Sequence, residues 1–172
     1  MLYKICLRRD NLVFEPSRFW RNADWTSSST NPKPGYVEEN VLYAAEFDEV
    51  NIHILPKVRR LRVWNSAENY PTLNALGYSV STDSKATLFA RERDRAAVIG
   101  SSATVYVFDR EGFTAIPSNE YVARSPKRAI QCETISVPAA LERWNVDLRF
   151  VADLDQVIAL LKERGVRYGE QT

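Results

Sequence analysis

The feature that most constrains this chain is a recurrence of short apolar runs bounded by turn-forming residues. Leu2–Leu7, Val41–Ala45, Ala103–Phe108, Ile130–Ile135 and Val146–Val151 are each too short for a stable helix. Several are rich in β-branched and aromatic side chains, which suit a pleated, half-buried surface. Helical patterns fall irregularly among them. Asp83 to about Ile99 reads as a helix with Asp83 as N-cap, a broken stripe of Ala86, Phe89, Ala90, Ala96 and Ala97, and Gly100 as its stop. Ser136 caps a short helix from Val137 to Trp144. Asp153 and Gln156 form a capping-box pattern ahead of Leu154, Val157, Ile158 and Leu161, with Gly165 as the end. Pro71 to Leu76 reads as one further short helix, with Gly77 just past it. Strands outnumber helices and do not alternate with them. The expected fold is therefore α+β, with mostly antiparallel sheets and a few short helices, rather than a doubly wound sheet.

The chain of 172 residues suits one domain spanning 1–172. The stretch from Leu7 to about Asn40 is rich in turn-formers, and residues 26–36 read as an exposed loop with little to bury. Phe19, Trp20, Trp25 and Tyr36 flank that loop. From Val50 to Trp64 the apolar residues alternate imperfectly and Pro56 interrupts them, which predicts two strands or a bent edge strand.

Hydrophobic residues make up 45% of the chain, enough for a packed core and too many for a disordered segment. The formal charge of +1 leaves no overall excess for phosphate neutralisation and argues against nucleic acid as the partner. Cys6 and Cys132 lie far apart with His53 as the one histidine, so no closed metal site is expected. The apolar run after Met1 is too short for a signal peptide, and no apolar stretch is long enough to span a bilayer. The cytoplasm, with reduced thiols, is the expectation.

The standard local motifs of catalysis are absent: no Gly-rich phosphate loop, HExxH, GxSxG or CxxC. Any chemistry must come from scattered residues. His53, between Ile52 and Ile54, reads as a strand histidine. Lys57, Arg59, Arg60 and Arg62 form a basic segment that fits either a phosphate-holding strand or a solvated, charge-protected edge. Glu120, in the run Pro117-Ser118-Asn119-Glu120-Tyr121-Val122, is an acid followed at once by packing positions. A carboxylate held firmly there could bind a ribose hydroxyl or stabilise a cationic sugar centre.

The order of these elements resembles small bacterial proteins with an ADP-ribosyltransferase-like fold. The resemblance runs through Leu2-Tyr3-Lys4, Leu42-Tyr43-Ala44, Tyr78-Ser79-Val80-Ser81-Thr82, Val105-Tyr106-Val107-Phe108-Asp109 and Asn119-Glu120-Tyr121-Val122. It implies NAD or a related nucleotide as substrate, with no other cofactor required. It implies Glu120 as the catalytic acid that aligns the ribose. The first-strand cation falls on Lys4 or on Arg8, the nearest arginine. Tyr43 and Ser81 would frame the pocket, with Asp83 standing where the family's Ser-Thr-Ser element has its last serine. The competing reading is a protein-interaction module that uses aromatics near the 26–36 loop as anchors.

Overall fold

A computed structural model describes residues 1–55, 59, 87–117, 119–153, 155–157 and 159. Ser81, the expected helix at 71–76 and most of the basic segment 57–64 lie outside those residues. The described chain is mostly antiparallel sheet with a few short helices, in line with an α+β class. It divides into two compact units, Met1–Val50 with Thr104–Thr134, and Asn51–Ala103 with Ile135–Thr172.

The first unit is built on one branched sheet. Its strands are β1 (Leu2–Cys6), β2 (Val13–Phe14), β3 (Ser17–Arg21), β4 (Ser28–Ser29) and β5 (Val37–Ala45). After a break in sequence come β7 (Ser102–Phe108), β8 (Thr114–Ile116), β9 (Glu120–Ala123), β10 (Lys127–Arg128) and β11 (Gln131–Ser136). The sheet runs β11-β7-β1-β5-β3-β4, while β9 lies on β5 and carries β8; β2 pairs with β10 separately.

Alternation decides what this sheet buries, because opposed residues of antiparallel strands point to the same face. Leu2 opposes Phe108, and Leu42 opposes Ala123. With Ala44, Tyr106 and Ala129 they form a core in which Phe14 is the central wedge. Its ring stands edge-on to Tyr106 at 4.7 Å and to Phe108 at 5.2 Å. Each large side chain so buried contributes about 1.5–3 kcal/mol.

The sequence from Leu7 to Asn40 is more ordered than its turn-rich composition suggests. It contains β2, β3 and β4, and Ser28 and Ser29 of the expected loop pair with Arg21 and Trp20. Polar residues form strands here because β5 offers a free edge to β3 from Ser17↔Val41 to Arg21↔Val37.

In the second unit β6 (Thr87–Arg91) runs parallel to β12 (Asp147–Val151), in register from Thr87↔Asp147 to Arg91↔Val151. This corrects the helix expected from Asp83 to Ile99. Its residues 87–91 are strand, followed by a 3-10 turn at Glu92–Asp94 and a helix confined to Arg95–Ile99. Thr87, Leu88, Phe89 and Ala90 are all buried, and burial on both faces is the mark of a parallel strand rather than a one-sided helix. His53 is also corrected: it ends a 3-10 turn, Val50–His53, instead of lying in a strand.

The capping signals at Ser136 and at Asp153–Gln156 held, while Asp83 lies outside the described residues. Ser136 Oγ accepts from Ala139 N at the start of helix Val137–Arg143. Asp153 Oδ1 accepts from Gln156 N at 3.0 Å, and Gln156 Oε1 accepts from Ala152 N at 2.7 Å. Truncating Phe14 to Ala should cost about 3–5 kcal/mol in urea unfolding. Ser136→Ala should cost about 1 kcal/mol.

Candidate functional site

Strand β5 brings the candidate residues together. Ala45 opposes Tyr3 of β1 and Glu120 of β9, so its two edges carry one row of residues across three strands. The β1–β5 ladder registers at this one pair. Next to it the Lys4 ammonium donates to the Tyr43 carbonyl at 3.0 Å, reaching an acceptor two residues back along β5. Lys4, Tyr43 and Glu120 therefore come from three strands to the end of one ladder. Tyr43 and Glu120 share one face there, while Lys4, opposite Tyr106, leaves β1 on the face of Leu2 and reaches the strand edge at the Tyr43 carbonyl.

Arg8 is exposed in the turn beyond β1, and Ser81 lies outside the described residues. Of the first-strand cations, Lys4 is the one beside Glu120.

Glu120 opens β9 and is partly buried. Burial pushes its carboxyl above the ordinary range, the charge of Glu49 adds to the push, and Lys4 acts in the opposite sense. Tyr43 lies on the same sheet face as Glu120, since Ala45 opposes Glu120 and Tyr43 is two residues away. Burial raises the Tyr43 phenol as well; Ser28 and Arg21 oppose the rise, while Glu120 and Glu39 add to it. The Tyr43 hydroxyl is buried, and the Ser28 side chain is its hydrogen-bonding neighbour.

That wall is made by Phe19 and Trp25, whose rings stand edge-on to Tyr43 at 5.0 and 6.1 Å. Phe19 arrives there because it opposes Glu39, two positions from Val41 on the Tyr43 face. Trp25 arrives by a different route. It adopts φ 62, a left-handed conformation that a bulky side chain rarely holds. Arg21 pins it: the guanidinium lies 4.3 Å from the Trp25 ring and donates to the carbonyls of Asn22 at 3.0 Å and Ala23 at 3.2 Å.

Arg21 is itself held by Glu39 at 2.6 Å, and Arg124 binds the other Glu39 oxygen at 2.5 Å. Burial resists ionisation of Glu39, but the two guanidiniums outweigh it and hold its carboxyl below the ordinary range. The aromatics near the 26–36 loop are thus turned onto their own unit. Trp25 packs on Tyr43 and Arg21, and Tyr36 shares a 2.5 Å hydrogen bond with Ser27.

Sequence reasoning missed Arg21, Glu39, Glu49 and Asn119. Glu39 and Tyr43 sit four residues apart in one strand and so share a face, which was the available signal. Asn119, at φ 54, is a residue type that tolerates the left-handed turn before β9. Cys6 and Cys132 are free thiols, and burial raises Cys6. Among the described residues no cluster of His, Cys, Asp or Glu has the arrangement of a metal site. Arg59 of the basic segment pairs with Asp94 at 3.3 Å. A hollow of about 240 Å³ opens between the Asp109–Phe113 turn and β10, and none of the site residues lines it.

The positive φ at Trp25 gives a differential test: Trp25→Gly should be less destabilising than Trp25→Ala by about 1 kcal/mol, because both lose the ring but only Gly relieves the backbone. Equal losses in urea unfolding would show that the backbone there is unstrained. Glu120 gives a second. Its folded-state value lies above its unfolded one, so the folded state keeps its proton longer and stability falls as pH rises through that interval. Glu120→Gln should therefore raise Tm at neutral pH and match the parent at pH well below the ordinary carboxylate range. No protein-family model, curated protein or solved structure matches this chain.

Proposed function

We propose that the face of β5 and β9 carrying Tyr43 and Glu120 binds NAD or a related ribonucleotide, as in an ADP-ribosyltransferase-like protein. The observation that carries this reading is that Tyr43 and Glu120 share one face beside the Tyr3–Ala45–Glu120 row, with the Lys4 ammonium at the adjoining strand edge. A nucleotide needs an acceptor for ribose hydroxyls, a cation for phosphate and a flat apolar wall for its base. Glu120, Lys4 and the Phe19–Tyr43–Trp25 group have those three chemistries.

In the active form Glu120 orients the ribose through its hydroxyls, and its charge stabilises the cationic sugar as the nicotinamide bond lengthens. The positive charge develops on the sugar, so a fixed carboxylate in partly dry surroundings acts more strongly than one in water. Lys4 takes the phosphate role on the first strand.

Calorimetric titration with NAD should show binding that Lys4→Met weakens about tenfold, as expected for one lost charge-assisted contact. NAD turnover should fall about 100-fold or more in Glu120→Gln, with little change in binding. Neither heat nor turnover with the parent protein would remove the reading.

A further inference from the structure

The chain leaving β9 puts a second charged residue on the face of Glu120. Continuing the Leu42↔Ala123 pairing by one residue sets Arg124 beside Val41, and alternation gives it the face of Tyr43 and Glu120. The ion pair agrees: Arg124 Nε donates to Glu39 Oε1 at 2.5 Å, and Glu39 shares the Val41 face of β5. Because Glu39 stands further from Ala45 than Val41 does, this bond turns the guanidinium away from Glu120. Four strand positions separate Glu120 from Arg124, about 13 Å of backbone. Three places therefore follow one another along β5. Ala45 stands with Glu120, the Tyr43 carbonyl with the Lys4 ammonium, and Val41 and Glu39 with Arg124. Val122, between the two ends, is 1% exposed, so a ligand that reaches both passes over the side chains covering it.

An extended dinucleotide has the same order of parts: a ribose, a pyrophosphate and a second ribose. The Arg124 end decides which dinucleotide fits. A ribose with both hydroxyls free is read by a carboxylate with an oxygen to spare, whereas an arginine accommodates a 2′-phosphate. Glu39 is the acid at that end, but Arg21 Nε holds its Oε2 at 2.6 Å and Arg124 holds its Oε1. Both oxygens are engaged, and two guanidiniums around one carboxylate leave an excess of positive charge. Arg21 spends Nη1 on the Asn22 and Ala23 carbonyls. Among the described residues Arg124 bonds through Nε, and its side chain is 52% exposed, which leaves its terminal amino groups as forked donors. We propose that Arg124 binds a phosphate on the adenosine ribose, so that the ligand of this face is a 2′-phosphorylated dinucleotide, NADP rather than NAD. This rests on the nucleotide reading and narrows it. Glu120 takes the ribose beside the reacting bond, Lys4 the pyrophosphate and Arg124 the far phosphate, while Glu39 keeps the guanidinium in place. An acid meets hydroxyls at one end and a planar cation meets phosphate oxygens at the other.

The test is calorimetric titration of the full chain with NADP and with NAD at low salt. NADP should bind about tenfold more tightly, as expected for one added charge-assisted contact. In Arg124→Met the two affinities should become equal, with that for NAD unchanged. Raising the salt concentration should narrow the difference in the parent protein, because Arg124 is half exposed. Adenosine 2′,5′-bisphosphate should displace NADP at lower concentration than adenosine 5′-monophosphate does. Far-UV circular dichroism checks that Arg124→Met keeps the fold, and the NADP to NAD ratio of the parent protein is a measurement that no variant's folding affects. Equal affinities in the parent protein, or a preference for NADP that survives in folded Arg124→Met, overturn the proposal and leave the nucleotide reading standing. Binding of neither dinucleotide removes the nucleotide reading and this proposal with it.

Discussion

Both edges of strand β5 are in use at Ala45, and the local arrangement of the site follows from that. A residue in the middle of a sheet can pair on two sides, but its side chain points to one face only. Tyr3, Ala45 and Glu120 therefore stand in one row. The β1–β5 ladder registers at this pair alone, and the Lys4 ammonium bonds the Tyr43 carbonyl beside it. A longer ladder would have satisfied that carbonyl with a backbone N–H and left Lys4 with a different partner.

Around this row the first unit accepts several local costs. Trp25 sits in a left-handed conformation, Glu120 and Glu49 are carboxyls pushed up by burial, and the Tyr43 phenol is pushed up by burial as well. A sheet optimised for stability alone would have replaced each with an apolar or glycine residue. The stabilising counterweight lies on the opposite face, where Phe14, Tyr106 and Phe108 pack edge to face.

The Arg21–Glu39–Arg124 group explains how the strained part is held. One carboxylate binds two guanidiniums, and one of these clamps the Asn22–Trp25 turn through two carbonyls and a ring. Phe19 and Trp25, beside the 26–36 loop, are therefore part of the wall around Tyr43. In the second unit the same lesson appears in backbone form. Residues 88–90 could join a helical stripe, but they pair with Leu148–Phe150 and are buried on both faces. Propensity is a weak prior against a complete row of parallel hydrogen bonds.

The sequence by itself determined the elements whose signal is local. Ser136 and the Asp153–Gln156 pair announced helix starts because a cap bonds to backbone within four residues. Short apolar runs announced β1, β5, β7, β11 and β12 by their alternation and length. Glu120, Lys4 and Tyr43 were legible as candidates through a resemblance in their order. Only the tertiary structure decided that Tyr43 and Glu120 share a face, that Lys4 reaches the edge beside them, and that Arg8 faces solvent. Strand pairing joins residues whose separation along the chain carries no periodic signal. Tyr3, Ala45 and Glu120 share a row because of backbone register, and register is set by the whole sheet.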